Sequence, residues 1–502
     1  MKKLSNVKLK TLLIFTRIFL KEELLLHKNI SSIGIATLAG YLNYLGYKNY
    51  QVVDLNSKPE IVPFSKIDNT LFLEEAILFA FNYKIKIDKT FLKKIKRVFE
   101  SSFKADLICF AISHQGQFIE SLILARIFKL INKNVFIVFG GPRLTRITGK
   151  LCDLSSTTTK MIDGIVVGDG EEPLAKLIYN LENNLSLKNV PNFLHKDGGS
   201  FKKTNNKFEI TKKHLAIMPN FDGLELSCLP IRVSKGCYWN KCTFCDFTKK
   251  NSQNYIIVKP ELIVKNIKLL VNKYSINKFI FVDDAIPPMF LKRFSEILLE
   301  KKMDIEWSCF FSCLDKKYLE NNIIQKMSES GCKRISFGLE SMSARVLKLM
   351  GKMHNPSEAV KIIKAFRKFG IFILLYTMFG FPTETKEGAE KTFNFLASNK
   401  VLYDKIMLSS FVLVDNVFPN KLKKKLLISI DANQKAIMKR DCLATVRYYN
   451  RGKGMSKEEL KDVFRKSKKL LKEKIARPFL LSELHYKEVI LSSDNRTKKR
   501  RI

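Results

Sequence analysis

The chain has 502 residues, enough for two or three domains, and its 46% hydrophobic and 27% charged residues describe a globular protein rather than a disordered one. It has no run of about 18 apolar residues, so no membrane span is expected, and its basic start, MKKLSNVKLKTLLIF, lacks the apolar core and cleavage site of an export signal. The net charge of +40 would suit an anionic partner, but lysine is spread everywhere beside abundant Asn and Ile, as an AT-rich coding bias gives.

Residues 1–190 alternate strand and helix patterns. Strands are expected at 12–16, 51–56, 105–113, 134–141 and 164–171, and helices at 33–46, 118–131 and 172–182. Apolar strand runs alternating with helices predict a doubly wound, five-stranded parallel sheet covered on both faces. Ligands of such sheets bind beyond the carboxyl ends of the strands. Ser113, Gly140 and Gly141 occupy those ends here. An insertion at about 60–102 reads as two amphipathic helices. Residues 191–230, with VPNFLHKDGG and a polar run to Lys212, read as a small hairpin and a linker.

The stretch SKGCYWNKCTFCDF (234–247) carries Cys237, Cys242 and Cys245, with four and then two residues between them. That spacing lets one loop fold its sulfurs around one metal centre. A structural zinc site would need a second C-x2-C or H-x3–5-H unit, and none is present. A disulfide framework does not suit a chain of this length without an export signal. A cuboidal iron–sulfur cluster with one iron left open, or three buried structural cysteines, remain.

Residues 231–414 repeat strand and helix six times. Strands are expected at 231–236, 278–285, 305–312, 333–341, 371–382 and 404–414, with a helix at 260–274 starting on Pro260. Six repeats give an open (β/α)6 barrel, three quarters of the closed eightfold one, with its active site at the carboxyl ends of the strands. Asp283, Asp284, Glu340, Gly380, Pro382 and Ser409 stand at or near those ends. Cys309 and Cys313, four apart in strand three, are expected on one face of the strand and read best as core.

GCYWNKCTFCDF, with Phe244 before its last cysteine, resembles the cluster loop of radical SAM enzymes, in the four-residue variant of their cobalamin-domain and peptide-maturation members. The resemblance implies a 4Fe–4S cluster on Cys237, Cys242 and Cys245. It implies S-adenosylmethionine on the open iron, and a 5′-deoxyadenosyl radical formed with an electron from a flavodoxin or ferredoxin. It further implies that Glu340 contacts the ribose or methionyl part of S-adenosylmethionine, that Asp283 or Asp284 lies near its amino group, and that Gly380 and Pro382 shape the floor beneath it. GIATLAGYLNYLGY, Ser113 and FGGPRLT resemble the cobalamin-binding domain that precedes such barrels, whose serine and glycines line the nucleotide-tail pocket. The D-x-H-x-x-G motif of that domain is absent. His27 and His114 read as ordinary histidines, so cobalamin without a protein lower ligand, or an empty domain, is what the resemblance allows.

Residues 415–502 carry 25 Lys/Arg against 10 Asp/Glu. KLKKKLLISIDANQKAIMKR and SKEELKDVFRKSKKLLKEKIA read as basic amphipathic helices, the second with a Ser456/Glu459 capping box. The expectation is a cytosolic radical SAM enzyme acting on a peptide or small molecule, by methylation if cobalamin is held. An RNA-modifying enzyme and a non-enzymatic cluster-bearing sensor or electron carrier are the alternatives.

Overall fold

The structure is a computed structural model that describes residues 3–17, 33–57, 77, 80, 82, 88–99, 104–113, 115–146, 156–245, 255–411, 413, 420–426, 428–429, 449–450 and 454–475. The chain divides into two compact units, the first running to Leu226 and the second beginning at Ser227.

In the first unit β1 (Thr11–Phe15), β2 (Tyr50–Asp54), β3 (Leu107–Ala111), β4 (Phe136–Gly140) and β5 (Gly164–Val166) form a parallel sheet in the order β2-β1-β3-β4-β5. Every residue of β1 is buried. Leu12 and Ile14 pack into one core with Leu122 and Ile123 of the helix Gln115–Ile131. Leu13 and Phe15 pack into the other, with Ile35 and Leu42 of Ile33–Tyr44 and Leu174 of Glu171–Glu182. Period-two alternation therefore feeds two helical layers, each full burial contributing roughly 1.5–3 kcal/mol. Of the expected 60–102 helices, Lys89–Phe99 is a helix with Ile95, Val98 and Phe99 buried.

The sheet does not stop at five strands. The hairpin assigned to the linker, β6 (Phe193–Asp197) and β7 (Ser200–Lys203), pairs antiparallel with β5 and extends the sheet to seven. Gly164 makes room for it: a Cβ there would lie 2.2 Å from the Phe193 ring. The sequence pattern marks both the strand and the hairpin but not their pairing, and β5 is only three residues long.

The second unit holds a six-stranded parallel sheet in the order β15-β14-β13-β12-β11-β8. Its strands are β8 (Leu229–Ile231), β11 (Lys278–Phe281), β12 (Glu306–Ser312), β13 (Cys332–Glu340), β14 (Phe372–Phe379) and β15 (Lys405–Ser410). The helices Pro260–Tyr274, Pro288–Glu300, Ile323–Glu329, Pro356–Lys368 and Lys386–Ser398 fill the connections. The first strand is earlier and shorter than expected. After Ile231 the chain leaves the barrel, and β9 (Ser234–Lys235) pairs antiparallel with β10 (Ile256–Ile257).

β12 carries a bulge: Cys309 is in register with Ile335 and Ser312 with Phe337, one extra residue on the β12 side. The bulge corrects the expectation that Cys309 and Cys313 share a face. Before it, Trp307 packs edge-on against Phe294 of the Pro288–Glu300 helix. Within it, Phe311 meets Tyr376 of β14, and where register resumes Ser312 bonds the Tyr318 hydroxyl at 2.7 Å. One added residue reverses which side chains point inward.

The C-terminal region departs from two helices. Asn420–Lys425 is helical, but Ile428–Ser429 pairs antiparallel with Tyr449–Asn450, because the LLISI run favours a strand. Lys457–Leu470 is a helix opened by the expected Ser456/Glu459 capping box. Its Leu460, Val463 and Phe464 pack against Phe379, Ala389 and Phe393. The Ile406 amide donates to the Lys474 carbonyl at 2.7 Å, which caps part of the open edge of β15.

Candidate active site

The cysteine loop leaves β9 at the carboxyl end of the barrel and is fixed from two sides. Asp283, just past β11, is 3% exposed and accepts hydrogen bonds from the Val233 amide (2.9 Å), the Ser234 amide (2.6 Å) and the Ser234 hydroxyl (2.8 Å). Those amides are therefore lost to the ladder, which is why strand one ends early. Burial pushes the Asp283 carboxyl up to about 6, against these hydrogen bonds. On the other side, the Trp239 indole donates to the Gly351 carbonyl at 2.7 Å, the Thr243 amide to the Met350 carbonyl at 2.9 Å, and the Thr243 hydroxyl to the Leu349 carbonyl at 3.1 Å. Gly351, at φ +69°, ends the helix Ala344–Met350, and a Cβ there would sit 2.4 Å from the Lys241 carbonyl oxygen. The four-residue spacer is accommodated with Asn240 at φ +46°. Asn is among the residues that tolerate this left-handed conformation.

Cys237 is buried; Cys242 and Cys245 are half-buried. The three thiols act electrostatically on one another. A hydrogen bond from the Cys313 thiol holds Cys237 below the usual thiol range, although burial opposes it. Burial pushes Cys242 up to about 11, with the Lys352 ammonium pulling the other way. Among the described residues no three His, Cys, Asp or Glu side chains close on a single ion. Three sulfurs on one loop fit the donor set of a cuboidal cluster, whose ligands sit on different irons rather than on one ion.

Glu340 ends β13 at φ +62° and is buried. Its Oε1 lies 3.3 Å from Lys352 Nζ, whose side chain is only 6% exposed. Lys352 also stands 6.0 Å from the centre of the Phe244 ring. Burial holds Glu340 above the ordinary carboxylate value, with Lys352 opposing. For Lys352 burial works against the charge, but the Glu340 carboxylate outweighs it and keeps the ammonium protonated. Asp284 is half-buried and acts on Cys237.

Gly380, at φ +81°, turns the chain after β14, and its amide donates to Glu384 Oε2 at 2.6 Å. Pro382 beside it is buried. Ser409 is exposed near the end of β15, its hydroxyl donating to the Thr377 carbonyl at 3.4 Å. The structure thus brings Cys237, Cys242, Cys245, Phe244, Asp284 and Glu340 around one end of the barrel. It assigns Asp283 to the loop's foundation.

Three contributors were missed. Lys352 reads as one more lysine in a lysine-rich chain. Glu384, buried to 1%, was hidden in GFPTET. Asp315, which accepts from the Tyr238 hydroxyl at 3.1 Å, sits in an unremarked turn.

In the first unit the Ser113 amide donates to Gln117 Oε1 at 2.8 Å, and Gln117 Nε2 donates to the Thr16 carbonyl at 2.7 Å, which joins the ends of β1 and β3. Arg17 and Glu120 form a buried ion pair of 2.7 Å beside them. A Cβ on Gly141 would lie 2.5 Å from the Ile112 carbonyl oxygen, so that glycine serves close chain packing. A Cβ on Gly140 would make only ordinary contact with Val166 at 3.7 Å. His27 and His114 lie outside the described residues.

Residues 231–396 match the family model of the radical SAM superfamily and form a radical SAM domain. Such a domain implies a 4Fe–4S cluster and S-adenosylmethionine, and the cysteine loop fits both. An uncharacterized methyltransferase of Pyrococcus horikoshii is 27% identical over 302 residues, 58% of this chain and 64% of that protein. A bacteriochlorophyllide d C-12(1)-methyltransferase of Chlorobaculum tepidum is 25% identical over 179 residues, 34% of this chain and 38% of that protein. The solved structure of the cobalamin-dependent S-adenosylmethionine radical enzyme OxsB with aqua-cobalamin bound aligns with a TM-score of 0.59 at 18% identity. It covers 86% of this chain, which covers 57% of it. The α/β fold is that of cobalamin-dependent radical SAM enzymes. The chain spans less than two thirds of the length of both the Pyrococcus protein and OxsB. No helix among the described residues is long and apolar enough to cross a membrane.

Proposed function

We propose that the protein is a cytosolic radical SAM enzyme that transfers a methyl group to a peptide or small molecule. The observation that carries this is the cysteine loop, braced by Asp283 and by the Met350–Gly351 turn, beside the buried Glu340–Lys352 pair. Cys237, Cys242 and Cys245 would hold the cluster. A bound cluster supplies the electron that splits S-adenosylmethionine into methionine and a 5′-deoxyadenosyl radical.

The chain's own residues bind and orient. The Lys352 ammonium would meet the carboxylate of S-adenosylmethionine, and Glu340 would meet its ribose or methionyl part. Asp284 takes the amino group. Phe244 presents a ring beside Lys352. Gly380 and Pro382 form the floor and Ser409 the rim. The methyl-transfer class rests on the relatives named as methyltransferases and on the first unit. There Ser113, Gly140 and Gly141, at the carboxyl ends of β3 and β4, would take the tail of a cobalamin held without a protein lower ligand. A flavodoxin- or ferredoxin-type protein supplies the electron.

The test is anaerobic reconstitution with iron and sulfide, with and without cobalamin, followed by reduction in the presence of S-adenosylmethionine. 5′-Deoxyadenosine and methionine are expected from the wild type, and none from Cys242→Ala. A loaded wild-type cluster that yields no 5′-deoxyadenosine, and whose paramagnetic resonance spectrum ignores S-adenosylmethionine, overturns the reading.

A further inference from the structure

We propose that His354 is a positioning residue for the S-adenosylmethionine site: its imidazole pins a strained turn at Glu340 and so holds the Glu340 carboxylate against Lys352. The inference rests on Glu340 and Lys352 meeting S-adenosylmethionine, as proposed above.

The Ser341 amide donates to the Leu339 carbonyl at 2.8 Å, and Glu340 between them has φ +62°. A hydrogen bond spanning two residues around a positive φ is the rare, strained form of the γ-turn. The ladder to β14 slips at the same place. Gly338 is in register with Tyr376 and Glu340 with Thr377, so Leu339 is an extra residue on the β13 side. A glutamate gains nothing locally from that backbone, so contacts from elsewhere must enforce it.

Those contacts come from one short strap. Gly351 ends the helix Ala344–Met350, and Asn355 opens the helix Pro356–Lys368 with a capping box, so both ends of the strap are anchored. Between them, Lys352 pairs with the Glu340 carboxylate at 3.3 Å, and His354 Nε2 lies 3.3 Å from the Leu339 carbonyl oxygen. A carbonyl only accepts, so Nε2 carries the proton and Nδ1 is bare. Nδ1 is buried with no partner among the described residues, so Nε2 is the atom through which the ring acts. His354 is 4% exposed. Burial, helped by the Lys352 ammonium, holds its imidazole far below the ordinary range, at about 3, which keeps it a neutral donor. The strap thus grips the turn twice: Lys352 takes the Glu340 side chain, and His354 takes the carbonyl before it. With the second grip gone, the backbone can relax to a negative φ, and the carboxylate turns with it.

The experiment measures S-adenosylmethionine binding by calorimetry on the reconstituted full chain, with iron counted, for the wild type, His354→Leu, His354→Gln and His354→Asn. The amide nitrogen of glutamine reaches the place of Nε2, whereas that of asparagine falls near Nδ1. His354→Leu and His354→Asn should bind about tenfold more weakly, the factor that one neutral hydrogen bond supplies. His354→Gln should recover most of that loss, and all four proteins should load the same iron. In a Glu340→Ala background His354→Leu should cost nothing further, because His354 acts through that carboxylate. Wild-type affinity in His354→Leu overturns the proposal. So do equal affinities in His354→Gln and His354→Asn, iron loss in step with the lost binding, or an undiminished effect of His354→Leu in the Glu340→Ala background. If His354→Leu does not fold, the comparison of His354→Gln with His354→Asn decides alone. A wild type with a loaded cluster that does not bind S-adenosylmethionine would instead sink the reading of Glu340 and Lys352 beneath it, whatever His354 does.

Discussion

Glu340 and Lys352 form an ion pair of 3.3 Å with side chains 7% and 6% exposed, at the end of the strand that faces the cysteine loop. Two charges this deep hold each other in place, and neither has water to fall back on. The Glu340 backbone also sits at φ +62°, which for a non-glycine residue costs of order 1–3 kcal/mol and persists only where the surroundings enforce it.

Lys352→Met leaves the Glu340 carboxylate buried without its cation, which costs roughly 3–5 kcal/mol of stability. Lys352→Met combined with Glu340→Gln removes both charges and should regain most of that loss in urea denaturation. Binding of S-adenosylmethionine, followed by calorimetry on the reconstituted protein, should fall in both variants by at least about tenfold, a loss of about 1.4 kcal/mol. Recovery of binding in the double variant would mean that the pair is structural only.

Asp283→Ala releases the Val233 and Ser234 amides together. Hydrogen bonds to a charged group are worth roughly 1.5–3 kcal/mol each. The expected outcome is a loss of about 3 kcal/mol and a cluster loop that loads less iron under identical reconstitution. Asp283→Asn keeps one acceptor oxygen and should fall between. Full iron loading in Asp283→Ala would show that the loop is seated without this carboxylate.

Much of this barrel is legible in the sequence, for identifiable reasons. Pro260–Tyr274 is a helix at the expected bounds, because its apolar spacing and leading proline agree. Cys237, Cys242 and Cys245 are local to one loop, so spacing alone implies their proximity. What sequence could not supply is contact across the fold. Lys352 reaches Glu340 only because the chain from Glu340 through Ala344–Met350 folds back at Gly351. Cys313 reaches Cys237 only because one bulged residue reverses the alternation of β12. The hairpin Phe193–Lys203 joins the sheet because Gly164 leaves space for Phe193, far along the chain, which no local pattern encodes.

Gly351→Ala tests how tightly the loop is pinned. Its φ of +69° disfavours a side chain, and the added Cβ would lie 2.4 Å from the Lys241 backbone oxygen, which has no flexible end to move. Such left-handed strain costs about 1–3 kcal/mol. The loop should shift before the helix does. The variant should therefore lose cluster occupancy, read as iron per chain, while its far-ultraviolet circular dichroism stays as in the wild type. Unchanged occupancy would show that the Trp239 and Thr243 bonds tolerate movement of the turn.

Glu384 predicts a pH dependence with a definite sign. Burial pushes its carboxyl up to about 7, against hydrogen bonds from the Gly380 and Phe381 amides and the Ser341 hydroxyl. The unfolded chain has an ordinary glutamate, near 4.3. A folded value above the unfolded one means the contribution is fully present below about pH 4 and is lost as pH rises through about 7. At about 1.4 kcal/mol per unit, the wild type should lose up to about 3 kcal/mol on this account between pH 5 and pH 8. Glu384→Gln keeps an acceptor for the Gly380 amide and does not titrate. The difference between wild type and Glu384→Gln cancels other groups, Asp283 among them, which is also raised, to about 6. Urea midpoints taken from pH 5 to pH 8 should therefore converge at the acid end and separate at the alkaline end, with Glu384→Gln the more stable there. Parallel midpoints across that range would mean that Glu384 stays ionised in the folded protein.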